Sequence, residues 1–178
     1  VYLNVPRGYE ALLPFLQSDA GLRENFFKRL RTTFVAAAGL SQEVWNGYLD
    51  VSRQVRGDTV PMINGLGATE TAPSVTFATN TTRAGFIGLP AAGCQVKLVP
   101  VNGKLEIRVR GPMVTPGYWR DPERTAASYD EEGWYRMGDA VRFAEPDDPA
   151  AGLMFDGRIA EDFKLSSGTW VSVGPLRV

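Results

Sequence analysis

The sequence predicts an α/β plus β fold: a partial parallel α/β subdomain followed by a small distorted antiparallel β-barrel subdomain. Three observations predict it. Up to about Thr71, helical periodicity alternates with short β-branched runs in the order strand, helix, strand, the order of a parallel sheet. Beyond Thr71 that periodicity fades, and short alternating runs separated by Gly, Pro and Asn replace it. Two of these runs flank Pro100-Val101-Asn102-Gly103, whose Asn-Gly pair suits a tight turn between antiparallel strands.

Taken in order, Tyr9 to Gln17 places Leu12, Leu13, Phe15 and Leu16 at helical spacing, with Pro14 expected to interrupt it. Asp19 to Arg31 repeats the pattern with Leu22, Phe26, Phe27 and Leu30, and Ser18 or Asp19 suits its N-cap. Thr32 to Ala38 reads as a strand. After Gly39-Leu40-Ser41 a third helix runs to about Val55, carrying Val44, Trp45, Tyr48 and Leu49 on one side. Val60 to Ile63 is a second strand, ending in the turn Asn64 to Glu70. Gln95–Val99 and Lys104–Arg110 form a hairpin, and Asp121-Pro122-Glu123 starts a short helix with Pro in its first turn. Gly133–Phe143 and Gly152–Phe155 supply further strands around the turn Glu145 to Pro149. Domain limits follow at 1–75 and 76–157, with residues 158–178 beginning something further.

Composition narrows the chemistry. Of 178 residues, 44% are hydrophobic and 22% charged, a globular balance that supports a core. Nineteen basic residues oppose 20 acidic ones for a net charge of -1, so no overall field favours nucleic acid or an anionic membrane. Cys94 is the single cysteine, which excludes an internal disulfide framework and any C-x-x-C site, and a reducing cytoplasm is the simplest compartment. The chain has no histidine, which removes Ser-His-Asp and Cys-His schemes and H-E-x-x-H zinc sites. No apolar stretch approaches the roughly 20 residues of a membrane helix. A start at Val1 without Met suggests a cut or processed product.

Four blocks offer polar groups on loops: Gly67-Ala68-Thr69-Glu70, Gly111 to Thr125, Gly133 to Asp139, and Asp156 to Lys164. Each has a bland alternative. Thr69 and Glu70 suit a helix start, Asp139 suits a turn, and Arg158 beside Glu161 and Asp162 suits a solvated cluster. Their order and spacing add to this. Leu66-Gly67-Ala68-Thr69-Glu70, Gly103-Lys104-Leu105-Glu106-Ile107 with Arg110-Gly111-Pro112 and Gly117-Tyr118-Trp119, Gly133-Trp134-Tyr135-Arg136-Met137-Gly138-Asp139, and Asp156-Gly157-Arg158 follow one another from Leu66 to Arg158. Together they resemble the adenylate-forming superfamily of acyl-CoA synthetases, luciferases and peptide-synthetase adenylation domains.

The resemblance implies an enzyme that turns ATP and a carboxylate into an acyl-adenylate, then transfers the acyl group to a thiol such as coenzyme A. In that family Thr69 would hydrogen-bond phosphate and Glu70 would help hold Mg2+, a hard cation suited to a carboxylate. These are the catalytic candidates. Asp139 would accept from the ribose hydroxyls, Arg158 would reach ribose or phosphate, and Gly65, Leu66, Gly67 and Ala68 would lie against adenine. Ala36 to Ser41 occupies the family's acyl-pocket segment, so Ala37, Ala38 and Gly39 would make room for a flat ring. The alternative is that Ala36 to Ala38 finish a buried strand.

Leu66 departs from the usual Tyr of that position, and the hinge residue two places after Arg158, usually Asp or Lys, is Ala160. The stretch Arg158 to Gly168 is one residue longer than in many relatives. Strings at Asn4 to Glu10, Gly65 to Pro73 and Gly168 to Arg177 resemble feruloyl-CoA synthetases, which implies a hydroxycinnamate-like aromatic acid. The family's phosphate loop and its catalytic lysine match nothing between Val1 and Val178, and Ser166-Ser167-Gly168-Thr169 only imitates the opening of that loop. Residues 158–178 are then a hinge and the truncated start of a C-terminal lid domain. The expected partners are an aromatic acid, ATP, coenzyme A and the flanking parts of the same protein, with no nucleic acid and no membrane. Turnover by this fragment alone is not expected. An adenylation domain serving a carrier protein and a non-catalytic binding module are the competing readings.

Overall fold

The computed structural model describes residues 1–79, 81–161, 163–164 and 170–171. Two compact units form: Val1–Gly65 with Ala78–Phe86, and Leu66–Phe77 with Ile87–Val178. Across the chain the described strands include nine in mixed parallel and antiparallel pairing, with few helices, as the sequence predicts.

The first unit runs β1 (Tyr2–Asn4), α1 (Pro6–Ser18), α2 (Ala20–Phe27), β2 (Thr33–Val35), α3 (Gln42–Arg56) and β3 (Met62–Leu66). β2 pairs in parallel with both neighbours, Leu3 opposite Phe34 on one side and Phe34 opposite Ile63 on the other. Each helix starts for a local reason. Pro6 opens α1, Asp19 Oδ1 accepts from Leu22 N at 2.9 Å to cap α2, and Ser41 Oγ accepts from Val44 N at 3.3 Å to cap α3. Gly57 ends α3 in the left-handed region at φ 77°. Tyr9, Leu16, Phe27, Trp45, Tyr48 and Met62 fill the core. Tyr9 and Tyr48 meet edge to face at 5.0 Å, and the Tyr48 hydroxyl donates to the Tyr9 carbonyl at 3.0 Å.

Three expectations change here. Pro14 does not interrupt α1, which continues to Ser18 because Leu13 and Leu16 are buried on either side of it; only the bond of the missing N–H is lost. The strand expected over Thr32 to Ala38 ends at Val35, and Ala37 turns the chain at φ 71°. β3 continues through Asn64 and Gly65 to Leu66, where the sequence suggests a turn, because Met62 and Asn64 are buried as strand residues.

The second unit holds β4 (Thr76–Ala78) and β5 (Phe86–Pro90), which pair antiparallel through Thr76 to Pro90 and Phe77 to Leu89. β6 (Gln95–Val101), β7 (Lys104–Arg110), β8 (Tyr135–Glu145) and β9 (Asp148–Arg158) form an antiparallel meander. The β6–β7 turn uses Asn102 at φ 51° and Gly103 at φ 80°, the paired positive values that Asn-Gly supplies. β8 and β9 close around Pro146 and Asp147 alone, so the expected longer turn is partly strand. α4 (Pro122–Ala127) lies between β7 and β8 in the chain, and β10 (Phe163–Lys164) pairs antiparallel with β11 (Trp170–Val171). Ile107, Val109, Tyr135, Met137, Val141 and Leu153 make the core of this unit.

Candidate functional site

Gly67 makes the first part of the site by having no side chain. A Cβ there would lie 2.3 Å from the Pro73 carbonyl carbon and 2.4 Å from its Cα. Two stretches of backbone therefore cross in contact. The turn between them is a 3-10 segment, Thr69–Thr71, opened by Ala68. Thr71, not Thr69, ties it: its hydroxyl accepts from Ala68 N at 2.9 Å and donates to the Ala68 carbonyl at 3.0 Å. Thr69 is exposed and Glu70 is half-buried. The capping role open to Thr69 in the sequence thus falls elsewhere.

Glu70 is held at two points. Its carbonyl accepts from Thr115 N at 2.7 Å, and Oε1 accepts from the Tyr118 hydroxyl at 2.7 Å. The Tyr118 hydroxyl, the backbone N–H of Glu70 and the charge of Arg124 hold its carboxyl below the usual range, against the opposing effect of burial. Burial pushes the Tyr135 hydroxyl well above its ordinary value, with Tyr118 and Glu70 adding to it. Glu70 is therefore ionised, and the Tyr135 hydroxyl neutral, throughout the neutral range.

Asp139 and Arg158 meet across β8 and β9, where they are register partners. Arg158 donates to Asp139 Oδ1 at 2.9 Å, with the carboxylate side chain 6% exposed and the guanidinium 51% exposed. Gly138 at φ 71° precedes Asp139, and the register shifts between Asp139 and Val141, a bulge that re-aims the aspartate. Asp139 is therefore a buried ion-pair member and not a turn residue, and Arg158 is not part of a merely solvated cluster. Arg158 is also the exposed end of the pair.

Gly65, Ala37, Ala38 and Gly39 belong to the first unit, and Ala37 to Gly39 are exposed, so they do not finish a buried strand. A Cβ on Gly39 would meet nothing within 4 Å. Leu66 and Ala68 pack against the core of the second unit, and Leu66 N donates to Thr76 Oγ1 at 3.2 Å. Ala160 is exposed on the 3-10 turn Ile159–Glu161. Asp162, Leu165 to Thr169 and Ser172 to Val178 lie outside the described residues. Tyr118 was legible only as part of a motif, since nothing in the sequence brings it to a residue 48 positions away.

A family model described as AMP-binding enzyme matches residues 1–119. The chain belongs to the AMP-binding enzyme family. Human long-chain-fatty-acid–CoA ligase 6 is 36% identical over 171 residues, covering 88% of this chain and 24% of that protein. The nonribosomal peptide synthetase sidC of Aspergillus fumigatus is 33% identical over 146 residues, 70% of this chain and 3% of its own length. The chain thus spans about a quarter of the human ligase it matches. Among solved structures, a malonyl-CoA ligase product complex with methylmalonyl-CoA and AMP bound superposes with a TM-score of 0.70 at 27% identity, over 98% of this chain and 37% of that one. The anthranilate CoA ligase AuaEII, in complex with anthranoyl-AMP, shares the fold at a TM-score of 0.70 and 24% identity, over 96% of this chain and 31% of that one.

Proposed function

We propose that this chain is the part of an ATP-dependent acid–thiol ligase that contacts ribose, magnesium and acyl group, in a reaction releasing pyrophosphate and then AMP. One observation carries the reading. Thr69, Glu70, Asp139 and Arg158, drawn from separate motifs, all belong to one compact unit, and Asp139 and Arg158 are in contact at 2.9 Å.

In the first step a substrate carboxylate oxygen attacks the α-phosphorus of ATP, the bond to pyrophosphate breaks, and the acyl-adenylate forms. In the second, a thiolate sulfur attacks the acyl carbon and AMP leaves. Asp139 orients the ribose by accepting hydroxyl protons, and Arg158 stays within reach of the ribose or phosphate while neutralising Asp139. Thr69 presents an exposed hydroxyl to phosphate, and Gly65 to Ala68 pass beside the adenine. Ala37, Ala38 and Gly39 leave room for the acyl group.

Among the described residues no group of three or more Asp, Glu, Cys or His side chains could form a metal cage. Magnesium takes one or two carboxylates and fills its remaining positions with phosphate oxygens and water. Glu70, ionised and held by one oxygen, is the carboxylate that would serve it. Bound there, magnesium would neutralise developing phosphate charge.

The strings resembling feruloyl-CoA synthetases support an aromatic, hydroxycinnamate-like acid and coenzyme A as the thiol. Ala160 serves as the hinge, with domain limits at 75 and 157 and the lid after it. A cytoplasmic setting goes with the scarcity of cysteine, and no helix among the described residues is long and apolar enough to cross a membrane. The likeness to a peptide synthetase supports the one competing thiol, a carrier protein's phosphopantetheine. The test is a panel of aromatic and aliphatic acids offered to the full-length protein with ATP, magnesium and either free coenzyme A or a loaded carrier. Thioester formation on free coenzyme A with ferulate or coumarate is expected. Activity confined to aliphatic acids removes the aromatic assignment, and transfer only to the carrier removes the coenzyme A ligase reading.

A further inference from the structure

We infer that Tyr118 is a positioning residue that fixes the carboxylate plane of Glu70, an inference that rests on the role of Glu70 proposed above. The segment from Thr115 to Ser128 is braced so that one hydroxyl arrives at one carboxylate oxygen. Gly117 stands at φ 149°, and a Cβ there would meet Thr125 Cγ2 at 2.5 Å, so the chain passes directly against Thr125. Thr125 Oγ1 accepts from Tyr118 N at 2.9 Å and donates to the Asp121 carbonyl at 2.7 Å. Asp121 Oδ1 in turn accepts from Arg124 N at 2.9 Å, which starts α4 and sets the Arg124 guanidinium 4.1 Å from the centre of the Tyr118 ring. The ring is thus clamped at its backbone and on one face.

The clamp delivers the hydroxyl to Glu70 Oε1 at 2.7 Å, while Thr115 N fixes the Glu70 carbonyl at the same distance. A phenylalanine would satisfy the Arg124 stacking and the Thr125 bond equally well. The oxygen serves the contact with Glu70 and one with the Tyr135 hydroxyl, which also reaches Glu70, so what the hydroxyl adds converges on that carboxylate. A glutamate on a one-turn segment has rotatable bonds that an unbound carboxylate would sample; pinning Oε1 directs Oε2 and removes that freedom before a ligand arrives. Tyr118 therefore acts through Glu70 and touches no reacting atom.

The experiment is a double-mutant cycle in the full-length protein with Tyr118→Phe, Glu70→Gln and both together. Acid-dependent pyrophosphate release and calorimetric binding of ATP with and without magnesium are read alongside the melting temperature. Tyr118→Phe should weaken magnesium-dependent ATP binding and lower kcat by about tenfold or more, the ratio for a lost hydrogen bond to a charged group. Its melting temperature should fall only by what one lost hydrogen bond costs, and its magnesium-free ATP binding should stay at the parent value. In the Glu70→Gln background the same substitution should have no further effect on kcat or magnesium-dependent binding, because the amide that Tyr118 can still position no longer serves the cation. Equal losses in both backgrounds, or parental kcat and magnesium dependence in Tyr118→Phe, overturn the positioning role while leaving Glu70 in place. Parental activity of Glu70→Gln itself overturns the underlying reading, and with it this one.

Discussion

Replacing Gly67 by Ala separates two explanations of a small residue beside a ligand site. The glycine is not needed for its backbone angle, since it is not among the positive-φ residues. It is needed for space: the added carbon would stand 2.3 Å, 2.4 Å and 2.8 Å from the C, Cα and O of Pro73. All three blocking atoms are backbone, so no rotamer change relieves them, and the crossing of residues 66–68 with Pro73 must open. The upper part of the overpacking range, about 3 kcal/mol, then applies, which lowers the melting temperature by roughly 6 to 12 °C. Gly138 is the control. At φ 71° with nothing within 4 Å of an added Cβ, Gly138→Ala meets only the left-handed penalty of about 1 to 2 kcal/mol. Asn, which tolerates that conformation, should recover much of the loss at 138 and none of it at 67. Thermal unfolding by circular dichroism, with ATP binding by calorimetry, reads both. A Gly67→Ala protein that melts with the parent yet fails to bind nucleotide would refute the packing argument and reserve the space for ligand.

Three further outcomes follow from the contacts. Asp130 accepts from Trp134 N at 2.8 Å and pairs with Lys97 at 2.8 Å and Arg108 at 3.0 Å. Burial opposes its ionised form, but the Lys97, Trp134 and Arg108 contacts outweigh it and hold the carboxyl well below the ordinary range. A depressed carboxyl contributes stability above its unfolded pKa of about 3.9, lost as pH falls from there towards the folded value. Asp130→Asn should therefore flatten stability against pH on the acid side, seen in melts taken at stepped pH; an unchanged slope contradicts the assignment. Tyr48→Phe deletes the buried donor to the Tyr9 carbonyl and should cost about 1 kcal/mol or more by denaturant titration, with the slope unchanged. Arg158→Ala leaves Asp139 buried without this guanidinium, so it should destabilise the hairpin of β8 and β9 as well as weaken nucleotide binding. A loss of binding with no change in hydrogen exchange there would argue against the structural half.

The sequence made some of this legible and hid the rest for identifiable reasons. α3 was readable because Ser41, the spacing of Trp45, Tyr48 and Leu49, and Gly57 agree on one element. The β6–β7 hairpin was readable because Asn102-Gly103 admits few other turns. β1 and β4 are three residues each, too short for alternation to register, and only pairing defines them. Pro14 shows tertiary burial overriding a local breaker. At the candidate site, the ordered motifs point to Glu70, Asp139 and Arg158. The Asp139–Arg158 contact depends on a bulged register, and the Tyr118–Glu70 contact on a loop closure, neither of which is written in spacing.

The most direct measurement of the central claim is acid-dependent pyrophosphate release by the full-length protein, compared with its Asp139→Ala variant under saturating magnesium and ATP. The account predicts release that requires a carboxylic acid and falls by about a hundredfold or more in the variant, as for loss of a positioned polar group in an active site. Release at the parental rate in the variant, or none from the parent with any acid, would contradict it.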